Sequence, residues 1–230
     1  MYLLIPAAGM GKRMGGKQNK LLLHLQGKPL LAWTLIAADA SSQIKWIGIM
    51  GQTYDFPLFQ EIIKDVNPRK PVQLIEGGDT RQQSVYNGLQ ALPEKAQHVL
   101  IHDGARCLAT PNLFDRCAEK VLTCEGLIAA VAVKDTIKVV DSDLVITDTP
   151  TRDNLWAAQT PQGFNVPLLK ECHDRGVKEG WQVTDDAALL EKCGFAVQIV
   201  EGEETNLKVT TPIDLTIAQF ILEQRSSISS

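Results

Sequence analysis

No two of the five cysteines, Cys107, Cys117, Cys124, Cys172 and Cys193, stand in CxxC spacing. An odd number without that spacing argues against a disulfide framework or zinc site and for thiols kept reduced in a cytoplasm. No apolar run approaches the roughly 20 residues that span a bilayer. The first residues, Met1-Tyr2-Leu3-Leu4-Ile5-Pro6, lack the basic segment and long apolar stretch of a secretory signal. The expectation is a soluble, cytoplasmic protein with no membrane partner. A basic excess is missing too: 23 Lys and Arg against 27 Asp and Glu give a net charge of −4. A general nucleic-acid binder shows a basic domain, so nucleic acid is not an expected partner, although a local basic pocket for a small anion is allowed. Internal repeats are absent. With 44% apolar and 22% charged residues, disorder, collagen and coiled coil are excluded as the main architecture. A chain of 230 residues can bury a large core without staples, and one domain over residues 1–230 is expected.

What is present is an alternation of short apolar runs with amphipathic stretches. The pattern predicts strands at 2–5, 46–50, 72–75, 99–102, 127–133 and 195–200. It predicts helices at 30–40, 56–66, from a Thr80 cap to about Leu92, 111–124, 166–179, from a Thr184 cap, and from Thr211 onward. Strand–helix alternation of this kind implies an α/β fold, a mostly parallel central sheet with helices on both faces. The rhythm breaks over about 134–158, where two β-like runs flank the turn cluster Asp141-Ser142-Asp143. This reads as a hairpin arm whose apolar Ile137, Val139, Leu144 and Ile146 need a partner surface.

The densest motif, Pro6-Ala7-Ala8-Gly9-Met10-Gly11-Lys12-Arg13-Met14, follows the first predicted strand directly. Its small residues let backbone N–H groups approach an anion closely. Lys12, Arg13 and, one loop length on, Lys20 add charge where triphosphate oxygens would sit. The third glycine of a dinucleotide fingerprint is replaced by Met14, and the second strand ends Ile49-Met50-Gly51 without an acidic residue, so a nicotinamide cofactor is disfavoured. A Walker A loop is absent. On these residues alone the plain alternative is a glycine turn with solvated cations. A second cluster, Gly77-Gly78-Asp79-Thr80-Arg81-Gln82-Gln83-Ser84, suits base and ribose recognition, or is simply a turn and a cap. A third, His102-Asp103-Gly104-Ala105-Arg106, ends the fourth strand, where open α/β sheets bind ligands. Asp103 there can hold a hydroxyl or a metal-bound water, and Arg106 a phosphate by its fork. His102 reads as a packed structural histidine rather than a base. The threonines of Asp135-Thr136, Thr151-Arg152-Asp153, Gln159-Thr160-Pro161-Gln162 and Thr184-Asp185-Asp186 read singly as caps or strand residues. Asn206-Leu207-Lys208-Val209-Thr210 places Lys208 in a short strand, on its own an edge position. No convincing Ser/His/Asp or Cys/His constellation offers a nucleophile.

Taken together and in order, these segments resemble the 2-C-methyl-D-erythritol 4-phosphate cytidylyltransferase family, which uses CTP in non-mevalonate isoprenoid synthesis. The glycine-rich start alone is shared by many sugar nucleotidyltransferases; the ordered set, spanning nearly the whole chain, is specific. The resemblance implies a Rossmann-like nucleotidyltransferase fold with a protruding β-hairpin dimerisation arm, a homodimer, and Mg²⁺ or another divalent cation held mainly by the CTP phosphates. It implies transfer of CMP from CTP to 2-C-methyl-D-erythritol 4-phosphate. Ala7, Ala8, Gly9, Gly11 and Lys12 would contact CTP, Gly78, Asp79 and Ser84 would read cytosine, and Gly104 would lie against the ribose. Arg13 and Lys20 match cations that stabilise the transition state. Asp103, Arg106, Thr136, Thr160 and Thr184 match positions holding the methylerythritol phosphate. Arg152 matches an arm arginine that crosses to the other subunit's substrate, and Lys208 the lysine that positions the attacking phosphate.

Some positions depart from the family pattern. Cys107 stands where proline is usual, Gly104 replaces the more usual alanine, and Asn19-Lys20-Leu21 stands for Pro-Lys-Gln. Lys17-Gln18 offers a competing register for the catalytic lysine; Lys20 is preferred because it needs no gap from Gly9. The rivals are a ribitol 5-phosphate cytidylyltransferase, a non-catalytic nucleotide-binding module and, disfavoured by the broken fingerprint, a dehydrogenase.

Overall fold

The computed structural model describes residues 1–9 and 19–228. Among them, seven strands form one sheet: β1 (Tyr2–Pro6), β4 (Trp46–Gly51), β5 (Val72–Glu76), β6 (His98–Ile101), β7 (Gly126–Ala132), β10 (Trp156–Asn165) and β11 (Val197–Glu201). The order across the sheet is β11-β7-β10-β6-β1-β4-β5. β1 pairs in parallel with β4 and β6, and β4 with β5, so these four carboxyl ends open on one edge. The helices are α1 (Leu30–Ala40), α2 (Phe56–Val66), α3 (Arg81–Gln90), α4 (Pro111–Lys120), α5 (Val166–Lys178), α6 (Ala187–Cys193) and α7 (Pro212–Ile228). Among the described residues no helix is long and apolar enough to cross a membrane.

Side chains of a strand alternate between faces, and β1 shows why both faces must be covered. Leu3 and Ile5 pack with Leu31 and Leu35 of α1, Phe59 of α2 and Phe114 of α4. Tyr2 and Leu4 pack with Val85 and Leu89 of α3, Leu169 of α5 and Leu190 of α6 on the other side. A strand buried on both faces reads as a continuous apolar run, which is how β1, β4, β6 and β7 were legible.

β10 was not. Pairing antiparallel with β6 and β7, it runs through the middle of the sheet. The sequence reading assigned its first residues to the arm and left the rest without an element. Gln159, Thr160 and Gln162 are polar yet buried, so no apolar run marks the strand, and Pro161, which brings no N–H to a ladder, argues against one. The register with β7 shifts between Ala158 and Gln162, around that proline.

Three smaller expectations also change. α6 starts at Ala187 rather than from a Thr184 cap, and the Asp185 carboxylate accepts the Ala188 N–H at 3.2 Å. A short antiparallel pair, β2 (His24–Leu25) with β3 (Lys28–Pro29), precedes α1. Lys208 lies in an irregular segment, not a strand. Within 134–158 the antiparallel pair β8 (Val139–Val140) and β9 (Ile146–Asp148) closes on a turn in which Asp141 Oδ1 accepts from the backbone of Asp143 and Val145. Residues 134–149 are all exposed, Leu144 at 80%.

Candidate active site

The three clusters singled out from sequence meet beyond the carboxyl edge of the sheet. One cleft is lined by Pro6, Ala7, Ala8 and Gly9 after β1, by Gly78, Asp79, Thr80, Arg81 and Ser84 around the start of α3, and by Asp103, Gly104 and Ala105 after β6; Lys20, Leu21 and Lys208 complete it. Gly11, Lys12 and Arg13 lie outside the described residues. Thr136, Arg152, Arg106, Thr160 and Thr184 do not line the cleft.

Local hydrogen bonds explain how each wall is held. The β1 turn is fixed by the Ala7 N–H on the Met50 carbonyl at 2.7 Å, and the β5 turn by the Gly77 N–H on the Gly51 carbonyl at 2.8 Å. Ser84 is buried; its Oγ accepts the Gly78 N–H at 3.0 Å and donates to the Thr80 carbonyl at 2.9 Å. Its hydroxyl therefore shapes the glycine loop. A Cβ at Gly78 would sit 1.9 Å from Gln83 Cγ, so the loop packs on α3 only with glycine there. At Gly104 an added Cβ would meet Leu21 Cδ1 at 2.8 Å. That atom ends a flexible side chain, and Ile5 Cγ2 would lie at 3.2 Å, so an alanine there needs Leu21 to shift and Ile5 to give slightly.

The two lysines are brought in by buried amides that the sequence reading did not weigh. Asn19, buried, donates Nδ2 to the Ala7 carbonyl at 2.6 Å and to Asp55 Oδ2 at 2.9 Å, while its Oδ1 accepts the Leu21 N–H. This seats Lys20 beside the β1 turn, with Nζ donating to the Val209 carbonyl at 3.3 Å. Asn206, fully buried, donates to the Thr160 carbonyl at 2.8 Å and to Gln159 Oε1 at 3.0 Å. The Val209 N–H donates to the Ala105 carbonyl, which closes the 206–210 segment over the β6 turn. Arg106 belongs to the same strap. Its fork, expected on a phosphate, donates instead to the carbonyls of Asn206 at 2.7 Å and Ala158 at 3.1 Å.

Asp103 is the electrostatic centre. Its Oδ1 faces Arg81 Nε at 3.2 Å and its Oδ2 faces Lys208 Nζ at 2.5 Å. Burial alone would raise its pKa, but the charges of Arg81 and Lys208 hold it well below the usual carboxylate range. Arg81 also donates through NH1 to Asp186 Oδ2 at 2.7 Å. Burial opposes the Arg81 charge, and the two carboxylates more than restore it. Asp186 in turn has Oδ1 3.5 Å from Nε2 of His173, and both side chains are buried. The sequence placed Arg81 in a motif but gave it no role; only its contact with Asp186, 105 residues away, reveals one.

Behind the cleft, Thr160 Oγ1 accepts the Asp103 N–H at 3.0 Å and lies 3.0 Å from His102 Nδ1. The hydroxyl proton is therefore assigned to His102 Nδ1, and the Nε2 proton to the Arg106 carbonyl at 3.1 Å. Fully buried, His102 has its pKa pushed down to about 4, chiefly by loss of solvent. A neutral, hydrogen-bonded histidine facing the chain is a brace, as the sequence suggested, and not a base. Within 134–158, Arg152 donates to the Lys134 carbonyl at 2.9 Å and Thr136 is exposed.

Residues 1–224 match the family described as IspD, 2-C-methyl-D-erythritol 4-phosphate cytidylyltransferase. A protein of that name from Crocosphaera subtropica is 72% identical over 225 residues, covering 98% of this chain and 99% of the relative. One from Synechocystis is 68% identical over 230 residues, covering both chains fully. The crystal structure of a 4-diphosphocytidyl-2C-methyl-D-erythritol synthase from Anaerococcus prevotii superposes with a TM-score of 0.87 at 29% identity, covering 96% of this chain and 97% of that one. Sequence and fold agree, and the chain belongs to the 2-C-methyl-D-erythritol 4-phosphate cytidylyltransferase family.

Proposed function

We propose that the protein transfers CMP from CTP to 2-C-methyl-D-erythritol 4-phosphate, giving 4-diphosphocytidyl-2-C-methyl-D-erythritol and pyrophosphate. One observation carries this reading: turns after three parallel strands and lysines from two distant segments line one cleft, in a chain 68–72% identical to proteins of that name.

In the reaction, an oxygen of the polyol phosphate attacks the α-phosphorus of CTP in line. The new P–O bond forms as the bond to the β-phosphate breaks, and pyrophosphate leaves with the electron pair. No protein nucleophile is needed. The difficulty is that two anions must meet, and cations placed where charge develops address it. Lys20 beside the β1 turn and Lys208 across the cleft would carry this work, joined by Lys12 and Arg13. Backbone N–H groups of Ala8 and Gly9 would face the triphosphate, with Ala7, whose N–H is held by the Met50 carbonyl, setting the turn; Gly78 and Asp79 would face the cytosine on the loop that Ser84 shapes, and Gly104 would lie against the ribose. Asp103 would accept hydroxyls of the polyol.

Among the described residues no group of three or more His, Cys, Asp or Glu is placed to hold a metal ion, and Asp103 is already paired with two cations. This donor set fits a Mg²⁺ that arrives on the triphosphate rather than one caged by protein. Bound there, the ion would offset phosphate charge and favour departure of pyrophosphate.

The exposed Ile137, Val139, Val140, Leu144, Val145 and Ile146 fit burial against a second subunit. A homodimer would also bring Thr136 and Arg152 to the partner's substrate. Work in a reducing cytoplasm fits five free cysteines.

The test incubates the protein with CTP, Mg²⁺ and either 2-C-methyl-D-erythritol 4-phosphate or ribitol 5-phosphate, and measures pyrophosphate release. Turnover with the first and little with the second is expected. Equal or faster release with ribitol 5-phosphate, or none with either, overturns the reading.

A further inference from the structure

We propose that Arg81 is a positioning residue that lets Asp103 surrender Lys208 to the incoming substrate phosphate; the inference rests on the function proposed above. Four side chains alternate in charge from the interior to the cleft: Asp186, Arg81, Asp103 and Lys208. The lysine at the outer end has the most exposed side chain of the four, 39% against 1% for Asp186, 27% for Arg81 and 12% for Asp103, so it is the member most free to move. It is also the one the reaction needs elsewhere, because its ammonium sits on Asp103 Oδ2.

A buried carboxylate stripped of its only cation is strongly unfavourable. If Lys208 were Asp103's sole partner, a phosphate would have to compete with that carboxylate for the ammonium. Arg81 removes the conflict, since its Nε stays on Oδ1 when Oδ2 is vacated. Asp186 restrains Arg81 in turn: NH1 is held at 2.7 Å by a carboxylate that is almost wholly buried. The guanidinium is thus kept from swinging out to bind an anion itself, and its charge is offset on both sides. Position on the cleft wall alone would make Arg81 one more phosphate-binding cation. Its two carboxylate contacts assign it the task of holding Asp103 ionised and in place.

The test is steady-state kinetics of Arg81→Gln, Asp103→Asn and the double variant, with each substrate varied in turn. Arg81→Gln is expected to raise KM for the polyol phosphate by about 10-fold or more while KM for CTP stays within about threefold. A merely structural loss would lower kcat through the active fraction without separating the two KM values. In the Asp103→Asn background, where Lys208 has no carboxylate to leave, adding Arg81→Gln should change KM for the polyol phosphate by less than about twofold. An equal rise in KM for CTP would make Arg81 an anion binder and overturn the proposal, as would additive effects in the double variant. If Arg81→Gln does not fold, Asp186→Asn untethers the guanidinium and should also raise the polyol phosphate KM selectively; an unchanged KM there overturns the proposal. Wild-type protein that releases no pyrophosphate refutes the underlying function, a result distinct from loss of selectivity in the variants.

Discussion

Replacing Thr160 by valine separates a brace from a substrate contact. The hydroxyl is buried, accepts the Asp103 N–H at 3.0 Å and faces His102 Nδ1 at 3.0 Å. Valine keeps the shape and removes both interactions, leaving one donor and one acceptor without partners. A buried polar group left unpaired costs about 1–3 kcal/mol, so the pair amounts to roughly 2–6 kcal/mol. For a chain of this size each kcal/mol moves Tm by about 2–4 °C, which gives a fall of roughly 4–24 °C. Activity should fall with it, because the Asp103 backbone loses its anchor. Thermal unfolding by circular dichroism, alongside initial rates, reads both. Thr160→Ser keeps the hydroxyl and should recover most of the Tm. A Thr160→Val protein with unchanged Tm but a raised KM for the polyol phosphate would refute the reasoning, since the hydroxyl would then serve the substrate and not the fold.

Three further outcomes follow from the same contacts. Lys20→Ala should lower kcat by at least about 100-fold, the usual cost of one transition-state contact, with an unchanged circular dichroism spectrum; near-normal turnover would remove the assigned role. His102 has a folded-state pKa pushed down to about 4 against about 6.5 when unfolded. Its contribution is therefore full above pH 6.5 and lost as pH falls towards 4, on the order of 3 kcal/mol. Asp103 and Asp186, whose pKa values are depressed, extend the loss at still lower pH. Denaturant titrations from pH 7.5 to 4.5 should show this, and His102→Gln should flatten the upper part of the slope; stability that rises on acidification contradicts it. Finally, Arg152→Ala subunits mixed with Lys20→Ala subunits should regain activity if the arm serves the partner's site, and no recovery on mixing would count against a shared site.

The parts of the fold that rest on local chemistry were legible in sequence. β1, β4, β6 and β7 are apolar on both faces, and the Thr80 cap of α3 accepts the Gln83 N–H as its position suggested. The cleft was legible for a related reason: Ala7, Gly78, Asp103 and Gly104 each stand just past a strand, and parallel strands gather such turns on one edge. β10 was hidden because Gln159, Thr160 and Gln162 are polar and bonded at long range, Gln159 to Glu203 and Asn206, Gln162 through Nε2 to Asp185. Arg106 looked like a phosphate fork because nothing local shows that Asn206 and Ala158 occupy it. Arg81 was passed over for the same reason, its partners lying 22 and 105 residues away. Sequence reading locates side chains next to glycine turns; which buried charge answers which is decided by the tertiary fold.

The central claim is that this cleft joins two phosphates directly. Phosphorus-31 NMR of the protein with CTP, Mg²⁺ and 2-C-methyl-D-erythritol 4-phosphate tests it most directly. The account predicts a new diphosphate linkage appearing in step with one equivalent of pyrophosphate. Conversion of CTP to free CMP with the polyol phosphate left unchanged would contradict it.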